Sequence, residues 1–207
     1  METDWIFALK PLFDQYGKRK HPLDYKNKYQ LIVMVILSAQ DSDNHINELA
    51  PEFFKAYPSI ENLAGAMPED LHRYIGSVRN FGNKANWLVK LALTIGNNSR
   101  IPSALSDLIA LPGIGRKSAN VIIRESGDPA EGIIVDLHVL RVAPRLGIAI
   151  GSKPEKIEQQ LMSVIPRENW NEAGMSLSFL GREICRPTNP KCINCIMSKA
   201  CSYFNNR

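Results

Sequence analysis

From Tyr29 to Ala39 the chain is apolar almost all round, which predicts a buried central helix rather than an amphipathic surface one. The stretch Asn44–Tyr57 differs, with Ile46, Leu49, Ala50, Phe53 and Phe54 at helical spacing and polar residues between them. Ser59 followed by Glu61, and Pro68-Glu-Asp ahead of Leu71, have the acid-rich first turns of helix starts. Asn83–Ile95 repeats the helical spacing through Ala85, Leu88, Val89, Ala92 and Leu93. Shorter helices are predicted from Ser103, a candidate cap, to Leu111 and over Arg116–Arg124, and further helices over Glu155–Val164 and Glu172–Ile184. Gly132–Leu140, GIIVDLHVL, stands apart, because its β-branched run reads locally as a strand. Many short helices with turn residues between them, and no repeat or long linker, predict an all-α fold.

Composition narrows the class. At 207 residues with 22% charged positions the chain is ordinary globular material, which excludes disordered, collagen-like and coiled-coil classes. The longest apolar run, Leu31–Leu37, is far short of the roughly 20 residues a bilayer requires. Acidic residues follow Met1 where a signal peptide would carry basic ones, so a soluble, cytoplasmic protein without a membrane partner is expected. The net charge of +4 conceals three basic windows: Gly17–Lys28 at +4, Leu111–Arg124 at +3 and Arg182–Arg207 at +4. The rest of the chain is acidic at −7, and such segregation can present a basic face to a polyanion.

All the cysteines fall in one C-terminal segment, Cys185, Cys192, Cys195 and Cys201, spaced C-x6-C-x2-C-x5-C. A reducing compartment argues against disulfides, and four thiolates in so short a stretch can converge on one metal centre. Structural zinc and a [4Fe–4S] cluster both accept four cysteines. The single C-x2-C and the unequal outer spacings lean toward iron–sulfur, while zinc stays open.

A second constellation is Leu111-Pro-Gly-Ile-Gly115 ahead of Arg116 and Lys117. Pro112 ends one helix, and Gly113 and Gly115 permit a tight turn whose amides open onto the next helix N-terminus. Such a turn binds a phosphate without reading a base sequence, or serves only as a corner between helices. Lys117 is then an electrostatic contact or a nucleophile, since lysine amines form Schiff bases with sugar C1′ carbons. Asp136, set among apolar residues in Ile133-Ile-Val-Asp-Leu-His-Val, is either a helix cap or a functional carboxylate.

Together, LPGIGRKSANVI (111–122), IVDLHVLRV (134–142) and GREICRPTNPKCINCIMSKAC (181–201) resemble endonuclease III, the iron–sulfur branch of the helix-hairpin-helix DNA glycosylases. LSAQDSD (37–43) and NFGNKA (80–85) extend the resemblance over nearly the whole chain. It implies an all-α fold of two helical lobes with a DNA-binding cleft between them. One is a six-helix lobe over residues 23–132 that contains the helix-hairpin-helix. The other combines 1–22 with 133–207 and carries the [4Fe–4S] cluster loop at 185–201, held by Cys185, Cys192, Cys195 and Cys201. The resemblance further implies Lys117 as Schiff-base nucleophile, Asp136 as essential carboxylate and Gln40 as the residue that fills the space of a flipped base. Gly113, Ile114, Gly115 and Arg116 would hold the phosphate 3′ of the lesion, Asn80 and Phe81 would wedge the duplex, and Arg186 and Lys191 would meet the backbone.

The function so implied is a base-excision-repair DNA glycosylase with AP lyase activity on damaged, oxidised pyrimidines. It would act as a monomer on duplex DNA with a damaged base or abasic site. Two departures bear on the lesion pocket: Leu137 stands where the family has threonine, and Asn80 where it offers a wedging leucine. A monofunctional mispair glycosylase of the same fold is the alternative that Lys117 argues against. A non-enzymatic metal-containing DNA-binding module would leave Lys117 and Asp136 without a role.

Overall fold

The computed structural model describes residues 3–206; Met1, Glu2 and Arg207, the last of them part of the C-terminal basic window, lie outside. In chain order the α-helices are α1 (Trp5–Ala8), α2 (Lys10–Tyr16), α3 (Lys28–Leu37), α4 (Asp43–Ala56), α5 (Ile60–Ala64), α6 (Pro68–Ile75) and α7 (Phe81–Ile95). They continue with α8 (Leu105–Ile109), α9 (Arg116–Ser126), α10 (Leu137–Leu146), α11 (Pro154–Val164), α12 (Trp170–Glu183) and α13 (Ser202–Asn205). Two compact units form: one spans His21–Asp128, the other runs through Lys20 and resumes at Pro129.

In the 21–128 unit, α3 is buried at every position except Lys28 and Gln30 and packs against α4, α7 and α9. Its uniform apolarity therefore reports a helix surrounded on all sides by other helices. Ser42 and Ser59 cap α4 and α5 through their hydroxyls, to His45 N and Asn62 N. Ser103 is not a cap: α8 starts later, behind Ala104, and the Ser103 hydroxyl accepts a hydrogen bond from Lys28 Nζ at 2.7 Å.

In the other unit, α2, α10 and α12 form the core, and α12 is buried continuously from Ala173 to Gly181. The strand expected over Gly132–Leu140 does not form, and the described residues contain no strand. Residues 133–136 are non-helical, and α10 begins at Leu137. The run is β-branched because Ile133, Ile134 and Val135 are all buried, not because a neighbouring strand pairs with it. Side chains supply its backbone partners instead: the buried Glu158 carboxylate accepts from Ile133 N at 3.2 Å. Gly174 of α12 lets the run approach closely, since a Cβ there would lie 2.5 Å from the Ile134 carbonyl oxygen. This packing fixes where α10 begins and so where Asp136 sits.

Candidate active site and nucleic-acid interface

The hairpin lies between α8 and α9. Gly113 takes φ +80°, and a Cβ at this position would meet the Trp87 side chain 3.0–3.2 Å away. Backbone conformation and space both require glycine there. Leu111 and Ile114 are buried and pin the turn from below, while Gly115 and Arg116 are exposed. Gly115 is the N-cap of α9, and no side chain caps this helix end. Lys117 is the second residue of α9 and is exposed. The arrangement is an uncapped helix N-terminus with two cationic side chains in its first turn, which favours an anion electrostatically.

Asp136 is a helix cap, and its two carboxylate oxygens have separate partners. Oδ1 accepts from His138 N at 2.8 Å and Val139 N at 2.9 Å, capping α10. Oδ2 accepts from the Ser178 hydroxyl at 2.6 Å. The carboxylate is half-buried and rigidly held. Leu137, directly after it, is 67% exposed, a large apolar surface at the mouth of the helix. Lys117 belongs to the 21–128 unit, Asp136 to the other.

Gln40 and Asn80 share an uncommon property. Both are exposed and both lie in the left-handed region, at φ +61° and +58°. Asn80 is the N-cap of α7 yet makes no side-chain cap. Phe81 is 36% exposed, with its ring edge-to-face on His72 at a centroid distance of 4.9 Å. The turns carrying these residues are tied by groups the sequence reading passes over. Lys84, 2% exposed, donates from Nζ to the Leu37 and Ala39 carbonyls at 2.7 and 2.6 Å. Burial pulls its ammonium below the usual lysine value; the nearby Asp41 opposes this and Arg79 adds to it. For Asp41, burial alone would raise the carboxyl. Hydrogen bonds from Arg79 N, His45 and Ser42 N outweigh that and hold it below its ordinary value.

All four cysteines are free thiols, and all four line one pocket, together with Leu146, Leu180 and Ile184. Burial pushes the Cys195 thiol up, and the other three thiols act on it in the same direction. Such a group of sulfurs loses its protons favourably only around a cation. Among the described residues no three His, Cys, Asp or Glu converge tightly enough for a single metal ion. The thiols surround a common space without closing on one point. Two arginines on α10 fasten this segment. Arg141 donates to the Cys185 and Gly181 carbonyls, both at 2.9 Å. Arg145 donates to the Arg186 carbonyl at 2.8 Å and the Pro187 carbonyl at 3.1 Å, and its own carbonyl faces Cys201 Sγ at 3.4 Å. Arg186 and Lys191 are exposed on the same loop. The arginines' four-residue spacing is visible in the sequence; the helix that aligns them and their carbonyl partners are not.

A helical fold with a glycine hairpin, a lysine in the first turn of the following helix and a capping aspartate defines a class of DNA repair proteins. Residues 33–167 match the model of the HhH-GPD superfamily of base excision DNA repair proteins, and the chain belongs to this superfamily. Within it, the chain is 36% identical to endonuclease III of Rickettsia felis over 94% of its own length and 93% of the relative's. It is 34% identical to endonuclease III of Bacillus subtilis, covering 94% and 90%. Among solved structures, a non-covalent endonuclease III–DNA complex superposes with a TM-score of 0.88 at 30% identity, covering 100% of this chain and 99% of that one. A trapped endonuclease III–DNA covalent intermediate matches with the same TM-score and coverage. No helix among the described residues is long and apolar enough to cross a membrane.

Proposed function

We propose that this chain is a base-excision-repair DNA glycosylase with AP lyase activity, acting on damaged pyrimidines in duplex DNA. The observation that supports it most is the exposed Lys117 at the head of α9, directly behind an uncapped glycine hairpin. A phosphate drawn to that helix end brings a deoxyribose to the lysine amine. The target nucleotide has to leave the stack first, because C1′ and its leaving base are inaccessible within a duplex.

The neutral Lys117 amine attacks C1′, and the C1′–N bond breaks as the base departs with a proton. Positive charge develops on the sugar, and the fixed carboxylate of Asp136 stabilises it. Transfer of the amine's remaining proton to O4′ breaks the C1′–O4′ bond, opening the sugar ring and giving a Schiff base, which acidifies the C2′ protons. Removal of one of them expels the 3′ phosphate by β-elimination and nicks the strand; water then releases the lysine. Gln40 occupies the vacated space, Asn80 and Phe81 enter beside it, and Gly113, Ile114, Gly115 and Arg116 hold the phosphate 3′ of the lesion. Leu137, exposed next to Asp136, would offer the displaced base an apolar surface.

Cys185, Cys192, Cys195 and Cys201 would hold a [4Fe–4S] cluster. All four thiols line one pocket, and the single C-x2-C with unequal outer spacings supports the cluster over zinc. When bound, such a cluster would order the loop that carries Arg186 and Lys191. The reading is tested with duplexes that each carry one lesion, scored separately for base release and for nicking. Release plus nicking at oxidised pyrimidines is expected. Base release without nicking on every duplex would favour a monofunctional enzyme, and no release on any would favour a binding module.

A further inference from the structure

Three non-glycine residues of the described chain lie in the left-handed region, and two of them are Gln40 and Asn80. That conformation is disfavoured for a side chain such as that of Gln40, less so for asparagine, and it is held where the surroundings enforce it. Neither side chain relieves the strain locally, since both are exposed and Asn80 caps nothing. The enforcement comes from Asp41, the residue after Gln40. Its Oδ1 accepts from Ser42 N and from His45 Nδ1, both at 2.8 Å. Its Oδ2 accepts at 3.0 Å from the amide of Arg79, the residue before Asn80. One carboxylate therefore grips both turns at positions adjacent to the two strained residues. His45 Nε2 continues the tie to the Ser77 hydroxyl at 2.9 Å, and Lys84 anchors the first turn from beneath. The side chain of Asp41 is only 13% exposed, so the grip is shielded from water.

We infer that Asp41 is a positioning residue for duplex opening, bracing the Gln40 and Asn80 turns so that both side chains enter the helix as one preformed wedge. The inference rests on the reading that Gln40 and Asn80 enter the duplex. Preforming the wedge removes the ordering cost that two loose turns would meet on binding. The carboxylate touches no reacting atom; it acts through the backbone of its neighbours.

The test uses a duplex with one abasic site opposite 2-aminopurine, and a second duplex whose opposite position is also abasic, so that no partner base is displaced. Strand nicking is followed in single turnover at saturating protein, with 2-aminopurine fluorescence reporting unstacking. Asp41→Ala is expected to lose most of the fluorescence rise. Its nicking should slow roughly tenfold on the first duplex, the scale of losing one or two hydrogen bonds, and no more than about twofold on the second. Asp41→Asn, which keeps the shape and one acceptor oxygen, should show the same contrast in weaker form and guards against misfolding of the alanine variant. Equal slowing on both duplexes, or no slowing on the first, would overturn the inference. Gln40→Ala and Asn80→Ala separate it from the reading beneath it. If both keep the wild-type fluorescence, the duplex-entering role fails and the inference with it. If they lose it while Asp41→Ala keeps it, only the inference fails.

Discussion

Asp136 has an observed structural place and a proposed chemical one. Its Oδ1 caps α10 and its Oδ2 holds the Ser178 hydroxyl. Asparagine is as good a cap as aspartate but brings no negative charge. Asp136→Asn should therefore leave the melting temperature within about 3 °C of wild type. Base release should fall roughly a hundredfold, as expected when a preorganised charge is removed from a developing cation. A large drop in melting temperature with base release intact would make Asp136 a cap and nothing more. Asp41 makes a pH prediction at the same scale. Its carboxyl is held below the ordinary value of 3.8, so its contribution to stability is complete above that pH and is lost as pH falls through the depressed native value. Thermal melts of wild type and Asp41→Asn should differ at neutral pH and converge as pH falls through the depressed native value. A constant difference across the acid range would show that the carboxylate's ionisation is not what stabilises the turn.

At the level of elements, legibility varied with physical cause. The helix periodicities and the hairpin could be read directly, because a buried stripe and a Pro-Gly-x-Gly turn leave local signals. The 133–135 run misled because burial alone selects Ile and Val, and its backbone partner, Glu158, is 25 positions away in the chain. Left-handed Gln40 and Asn80 carry no glycine signal, and nothing in the sequence marks Asp41 as a partner of both turns. The cysteine spacing was legible; the arginine ties from α10 that shape the loop were not. For that loop, the purified protein should be brown, with iron by metal analysis and broad visible absorbance. Removal of the metal should raise protease cleavage within 185–201, since metal binding and folding are coupled in such segments. One zinc and no iron would contradict the cluster.

For the whole molecule, the basic windows matter through their exposed members rather than their sums. Arg116 and Lys117 crown α9, while Arg186 and Lys191 crown the cysteine loop. Each lysine or arginine that neutralises a phosphate contributes about −0.9 to the slope of log affinity against log salt. Arg186→Ala and Lys191→Ala should each make that slope shallower by up to about this amount, at similar cost for every sequence tested. Unchanged slopes for both would remove the cysteine loop from the binding face.

The central claim is that the Lys117 amine forms the covalent bond to the sugar. Borohydride trapping on a duplex with one abasic site tests it most directly, with binding measured in parallel. The wild-type chain should be captured as a covalent protein–DNA adduct. Lys117→Gln should bind the duplex with affinity within about threefold of wild type, as expected when one exposed phosphate-side contact among several is lost, and form no adduct. An adduct from Lys117→Gln at the wild-type rate would mean that another amine is the nucleophile and would contradict the mechanism.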